Sequence, residues 1–403
     1  MSISATAFNR PYRWVVLATF TAVAGVSQML WLNFAPLITQ LEARYAVGEL
    51  EVSALLLVFP LLYVFLSLHA GTMTDRKGYK YTIALGSIIA AVFACFRVFK
   101  RSFYVLLAAQ VGIAIGQPYV INGISKLVVN WFSKEETAMA TGLGTVGMFI
   151  GMALGLGLTP PLVVAVGFDW TMVVFAAIAV LSALAFVVYA KENDQVATEK
   201  DITENSLAEI RTLLNDRNLV VLFILSFLAL GFFNGLTTWL EPMVQPNGVN
   251  AEQAGIIGAL LILGGIVGSV IIPAISDKVG KRKPFLLLCC AAATALVYPL
   301  CTLTGLNILY ALGGLLGFIF LPGYALLLSM TEEQSGPRRA GAATGMLMLT
   351  GNAGAVVVIV SMQLIKGDAP EWTNAIILML VLLVACLVLG LLGLKETFGK
   401  TTE

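Results

Sequence analysis

In the stretch QPYVINGISKLVVNWF, residues 117–132, the polar groups of Gln117, Tyr119, Asn122 and Lys126 interrupt an apolar run. On a helix Tyr119, Asn122 and Lys126 share one face, because residues three and four apart stack above one another. A phenol, an amide and an ammonium on one face form a stripe that can hold a small polar solute. Lys126 also has a plainer use, near the end of its helix, where its ammonium reaches water or holds terminal carbonyls. Lys126 is therefore expected to gate or anchor, and Gln117, Tyr119 and Asn122 to bind. Glu241, in the run WLEP, is an acid near a helix end that can attract a cation or carry a coupling proton. Trp31, Phe233 and Trp239 offer aromatic faces, each contributing roughly 0.5–2 kcal/mol to a desolvated ammonium group. Asn33, Asn234 and Tyr324 add hydrogen-bonding groups within apolar runs. Arg97 is expected to snorkel or form a salt bridge, and His69, the single histidine, to be a packed residue.

The same inventory excludes several chemistries. A phosphate-cradling GxxxxGK[ST] is missing, which speaks against ATP hydrolysis. One histidine supports no convincing nucleophilic triad. Cys95, Cys289, Cys290, Cys301 and Cys386 all fall in apolar runs and read as small core residues, not as a disulfide frame or metal site. No enzyme, cofactor or metal is expected.

The elements that must position these groups are set by composition. Of 403 residues, 59% are hydrophobic and 12% charged, with a mean hydropathy of +0.90. A soluble chain carries about a quarter charged residues, so the solvent here is lipid. Twelve apolar runs are long enough to span it, near 13–41, 50–73, 80–99, 103–130, 136–163, 169–190, 218–241, 251–275, 284–304, 306–330, 338–365 and 372–394. Each must be helical, because lipid offers backbone groups no partner. The first run lacks a small-residue cleavage site, so it reads as an anchor and not as a signal peptide. One long polar segment, KENDQVATEKDITENSLAEIRTLLNDRN, separates six runs from six, and SLAEIRTLL within it suits a short surface helix. The expected domains are 1–190, a linker 191–217 and 218–403. Basic residues other than Arg44, Arg97, Lys100, Arg101, Lys126 and Lys366 fall in the N-terminal segment, the even loops, the linker and the tail. That bias places both termini in the cytoplasm of a plasma or bacterial inner membrane.

The halves repeat each other. GTMTDRKGYKY at 71–81 matches PAISDKVGKRK at 273–283, with Asp75 and Asp277 202 residues apart. AMATGLGTVGMFIG at 138–151 matches GAATGMLMLTGNAG at 341–354, and QPY at 117–119 matches PGY at 322–324. The motif G-x-x-x-D-R-x-G-x-K resembles the signature loop of the major facilitator superfamily, with a weaker copy after helix eight. That resemblance implies a twelve-helix, all-α transporter in which Asp75, Arg76 and Asp277 gate the transport cycle.

Two further stretches, Q-P-Y-V-I-x-x-x-x-K-L-x-x-x-W-F and E-x-x-x-A-T-G-L-G-x-x-G, resemble the feline leukaemia virus subgroup C receptor-related transporters. RW at 13–14 and Trp31 agree with that family too. The resemblance implies transport of choline and ethanolamine, with an older attribution to haem, and it puts Trp31 in the place of the family's cage tryptophan. Asn234 stands near the family's helix-seven tyrosine, and Met148 and Phe149 stand where the family has an Asn-Gln pair. Gln110 replaces the arginine that many superfamily members tie to proton coupling. The expected function is a uniporter or secondary-active carrier of a small polar organic solute, working by alternating access, with a choline- or ethanolamine-like amine as substrate. The alternative is a proton-coupled symporter or exporter of an organic anion such as a monocarboxylate. The lipid bilayer is the surrounding partner; a monomer is expected, and no nucleic acid.

Overall fold

The computed structural model describes residues 11–99, 102–133, 136–193, 206–336, 339–367, 369 and 371–399, and among them there are helices and turns but no strand. The fourteen α-helices are α1 Tyr12–Leu32, α2 Ile38–Tyr45, α3 Glu49–Lys77, α4 Tyr79–Phe96, α5 Phe103–Ile121, α6 Ile124–Trp131, α7 Thr137–Tyr189, α8 Ser206–Asn215, α9 Arg217–Val244, α10 Ala251–Val279, α11 Lys283–Thr302, α12 Leu306–Ser335, α13 Ala340–Lys366 and α14 Thr373–Leu392. Among the described residues eleven stretches are long and apolar enough to cross a membrane. The 53-residue α7 contains Gly167 at φ +82°, ψ 157°, a conformation no helix contains. Split there, α7 supplies two crossings, and the count becomes the expected twelve. The surface helix expected at SLAEIRTLL is α8.

Three boundaries differ from expectation. The run 13–41 is helical only to Leu32; a 3-10 turn, Ala35–Leu37, and α2 follow. Pro36 sits in that turn and has no N–H to continue an α-helical ladder. The run 103–130 divides into α5 and α6 at Asn122–Gly123, where Gly123 N bonds back only three residues, to Val120 O. Helix α9 does not stop at Glu241 but passes through Pro242 to Val244.

The chain forms two compact units: Met1–Phe34 with Leu41–Val47 and Ala54–Ile202, and Ala35–Gln40 with Gly48–Ser53 and Thr203–Glu403. The division falls near 202, inside the expected linker, much of which (194–205) lies outside the described residues. The short pieces Ala35–Gln40 and Gly48–Ser53 group with the second unit because their polar groups meet α9 and α13: Thr39 bonds Glu241, and Glu49 pairs with Lys366 at 2.6 Å.

In the first unit α1 packs along α7 and α4 along α5. The contacts are backbone on backbone. A Cβ built on Gly151 would lie 1.9 Å from Gly25 O, and one on Gly116 2.4 Å from Gly86 O. The core beside them holds Phe20, Tyr79, Leu127, Trp131 and Phe186. In the second unit α9 packs on α13 and α10 on α12, where a Cβ on Gly354 would meet Phe227 O at 2.0 Å and one on Gly317 Leu261 O at 1.7 Å. Gly151 and Gly354 are 203 residues apart, so the duplicated sequence makes the same helix contact twice.

This contact is testable. Gly151→Ala is expected to lower the melting temperature of the detergent-purified protein, by about 1–3 kcal/mol in stability terms. Gly142→Ala, whose Cβ would meet nothing within 4 Å, should leave it unchanged or slightly raised. Equal melting temperatures for both variants would overturn the packing account.

Candidate functional site

The polar row of the first unit runs along α3, α5 and α6. Tyr119 is buried, and its hydroxyl lies 2.8 Å from His69 Nδ1, with the two rings edge to face. Tyr63 Oη donates to Asn122 Oδ1 at 2.9 Å, and Asn122 Nδ2 donates to Ser67 O at 2.9 Å. Asn122 therefore sits at the α5–α6 break with its side chain held against α3. Gln117 is buried with no acceptor for its Nε2. Pro118 beside it lacks an N–H and frees a carbonyl one turn earlier. His69, read from sequence as a packed residue, is exposed and bonded to Tyr119.

Lys126 ends the row. Its ammonium donates to Thr74 O at 2.9 Å and Asp75 O at 2.7 Å. Both are carbonyls of the last turn of α3, an end that favours a cation; Thr74 O also accepts from Gly78 N at 3.0 Å. The ammonium is thereby fixed beside the signature loop, where the side chains of Asp75 and Arg76 are exposed.

On α1, Trp31 is half-buried; its Nε1 donates to Leu56 O at 3.1 Å and its ring lies 6.0 Å from that of Phe59. One N–H bond and one ring contact pin the indole in a single orientation. Asn33, by contrast, is completely buried and accepts from Arg97 Nη2 at 2.9 Å. Gln110 is buried too and donates to Leu30 O at 3.1 Å.

In the second unit the candidates divide. Phe233 is half-buried, while Phe232 behind it is in the core against Phe320 at 4.8 Å. Asn234 is turned back on its own helix, donating to Leu230 O at 2.9 Å. Trp239 is fully buried, packed on Trp372 at 4.9 Å and donating to Ile359 O at 3.1 Å. It is a core residue of this unit, contrary to its expected place among the ligands: aromatic composition alone does not tell a core face from an open one. Tyr324 is half-buried against the core around Leu326 and Met330. Glu241 is 3% exposed and accepts from Thr39 N at 3.2 Å and Thr39 Oγ1 at 3.0 Å; no base among the described residues pairs with it.

The two signature loops carry different chemistry. Asp277 pairs with Arg282 at 2.5 Å, and Arg282 also reaches Glu333 at 3.0 Å. Sequence reading missed the groups that tie these loops to the end of each half. Lys80 N donates to Glu192 Oε1 at 3.2 Å, and Arg282 N donates to Glu396 Oε1 at 2.9 Å. Asn193 bonds Asn130 through N at 2.8 Å, and Thr397 Oγ1 bonds Glu333 at 2.8 Å. The available signal was K-E-N at 191–193 against K-E-T at 395–397, 204 residues apart and each just past the last span of its half. The first half adds Trp131 Nε1, which donates to Tyr79 Oη at 2.6 Å and Lys191 O at 3.0 Å.

Comparison with known proteins follows the same lines. The family model of the Major Facilitator Superfamily matches residues 17–359 and also 241–402. An uncharacterised protein of Archaeoglobus fulgidus is 36% identical over 193 residues, covering 48% of this chain and 87% of that one. The choline/ethanolamine transporter FLVCR1 of Felis catus is 26% identical over 381 residues, covering 88% of this chain and 67% of its own. Among solved structures, a mutant of the nucleoside transporter NupG superposes with a TM-score of 0.75 at 14% identity, covering 94% of this chain and all of that one. At that identity the likeness is one of fold alone.

Glu396 gives a pH test of the loop tie. Its burial raises the carboxyl, but the backbone N–H groups of Arg282, Phe398, Thr397 and Lys283 outweigh that and hold it below its ordinary value. A depressed folded value contributes stability above the unfolded pKa, near 4.3, and that stability is lost as pH falls through the folded value. Glu396→Gln is expected to lower the melting temperature at pH 7 and to flatten its fall on acidification. A variant with the full wild-type acid profile would remove Glu396 from the account.

Proposed function

The chain belongs to the major facilitator superfamily and is an integral membrane transporter of small molecules, and from that premise we propose that it carries a small polar organic amine of the choline or ethanolamine kind by alternating access. The observation that carries this reading is Trp31. Its indole is pinned by Leu56 O and Phe59 while remaining half-buried, so an aromatic face is held ready without further ordering. A quaternary or primary ammonium is attracted to such a face. The polar row suits a cation for a second reason. Tyr63, Tyr119 and Asn122 are uncharged, and the one ammonium at its end, Lys126, is already bonded to Thr74 O and Asp75 O. The relative named as a choline/ethanolamine transporter points the same way. Tyr119, Asn122 and Gln117 complete the proposed ligand set of the first unit, and Phe233 is the ligand proposed from the second; Asp75, Arg76 and Lys126 in the first unit and Asp277 in the second are the proposed gating residues. Both termini are proposed to be cytoplasmic.

Uptake of labelled choline and ethanolamine into proteoliposomes tests this directly. Trp31→Ala is expected to weaken half-saturation about 2- to 30-fold, the range of one cation–π contact. Lys126→Met, which removes two helix-end bonds and no substrate contact, should lower the maximal rate more than the affinity. Failure of either amine to move, with the protein folded, overturns the substrate.

Glu241 favours a second reading, a proton-coupled carrier of an organic anion such as a monocarboxylate. It is a buried carboxylate held by Thr39, and no base among the described residues pairs with it. Intramembrane acids of this kind mark proton relays. This reading expects uptake of a monocarboxylate that rises with an inward proton gradient and loses that dependence in Glu241→Gln. Uptake indifferent to the gradient rules it out.

A further inference from the structure

Among the described residues two arginines are buried, and their surroundings differ. Arg282 meets Asp277 and Glu333. Arg97, at 1% exposure, meets no carboxylate among the described residues: Nη2 donates to Asn33 Oδ1 at 2.9 Å, and Nε and Nη1 donate to nothing. A guanidinium does not shed its proton. A buried charge without a counter-charge is strongly unfavourable, and inside a membrane such a residue is by default functional. Arg97 and Asn33 stand where α4 and α1 end, and helix-terminal carbonyls favour a cation there. Nε and Nη1 nevertheless bond none of them.

A second group of observations points to a ligand. Asn33 Nδ2 is another buried donor without an acceptor, and Asn33 is completely buried. Its orientation is fixed, because its Oδ1 is the atom that accepts from Arg97. Gln110 holds the same turn of α1 from α5 through Leu30 O, and its Oε1 is the only acceptor left open in this group. Donor atoms without acceptors therefore outnumber acceptors three to one. No carboxylate among the described residues fills the gap. Phe34 covers the guanidinium at 4.2 Å and stacks on Phe168, whose other neighbour, Arg44, already pairs with Asp169 at 2.8 Å.

We propose that Arg97 and Asn33 form a binding site for one compact monovalent anion, a halide or a small carboxylate, covered by the ring of Phe34. One guanidinium neutralises one charge, and complete burial leaves no path for a bulky or doubly charged ion. Entry requires the Phe34 ring to swing off the guanidinium. Occupation then completes the hydrogen bonding of three donor atoms at the end of α1. The site is independent of the amine reading, since neither of its polar residues is needed to hold an ammonium.

The test uses the full chain, purified in detergent and exchanged into sodium gluconate without any amine. Sodium chloride, formate and acetate are titrated against sodium sulfate at matched ionic strength, and the melting temperature is followed. Chloride or a small carboxylate is expected to raise it with saturation, as binding to the folded state must, while sulfate does not. Saturation by chloride identifies an inorganic ion, and by formate or acetate alone a carboxylate. Arg97→Gln should lose the response. Independently of how well that variant folds, Asn33→Asp supplies the decisive comparison: it places a carboxylate against Nη2. It should melt higher than the wild type in gluconate and respond to no added anion. Phe34→Ala should shift half-saturation several-fold toward lower concentration. Identical melting temperatures in all salts, or an undiminished response in Asn33→Asp, overturn the site.

Discussion

The approach of Gly151 to the carbonyl of Gly25, with no room for a Cβ between them, is the contact on which the first bundle depends. Lipid tails are as apolar as leucine, so burying side chains against one another gains little in a membrane. Association rests instead on close packing and interhelical hydrogen bonds, and both need backbones near each other. Gly354 against Phe227 O repeats the contact in the second unit, and Gly86 with Gly116 and Gly317 with Leu261 O extend it to the other helix pairs. Each pair is thereby fixed in register, and a register fixed by glycine places every polar side chain on the same helices.

The hydrogen-bonding groups are distributed on that frame by a simple rule. Many of those inside the helices find a partner on a neighbouring helix or on their own preceding turn, as Tyr63 on Asn122, Gln110 on Leu30 O, Ser226 on Leu347 O and Asn234 on Leu230 O, while Gln117, Asn33 and Arg97 keep buried atoms without one. Those at helix ends satisfy terminal backbone groups. Lys126 takes the carbonyls closing α3, Glu192 and Glu396 take backbone N–H groups opening α4 and α11, and Lys283 takes Leu394 O. The two halves share the backbone ties and differ in their side chains. Aromatic and amide groups hold the first loop, through Tyr79, Trp131 and Asn130, whereas charges hold the second, through Asp277, Arg282 and Glu333. A duplicated frame with divergent fittings is what close packing permits, because glycine positions are constrained by volume and loop fittings only by hydrogen-bond satisfaction.

By itself the sequence determined the solvent, the helical class, the duplication and the superfamily. Those properties are one-dimensional: apolar length, composition and motif offset are read along the chain, and lipid admits only helices over such lengths. The fifth and sixth crossings were legible as two apolar runs, and the break at Gly167 that divides α7 between them is a backbone conformation glycine alone adopts freely. The sequence also carried the K-E-N and K-E-T pair in plain view, but its meaning needed the distance from Glu192 to Lys80 N. Tertiary structure alone decided which polar residues are open and which are enclosed. Trp239 and Trp31 are the same residue type in similar apolar settings, yet one is sealed against Trp372 and the other is half-buried against Phe59. His69 and Arg97 are reversed in the same way, the histidine exposed and the arginine enclosed without a counter-charge among the described residues. The reason is physical. Helical period fixes the face a residue occupies, but what that face meets depends on the neighbouring helix, and that is set by glycine contacts between segments distant in the chain, as Gly25 and Gly151 are.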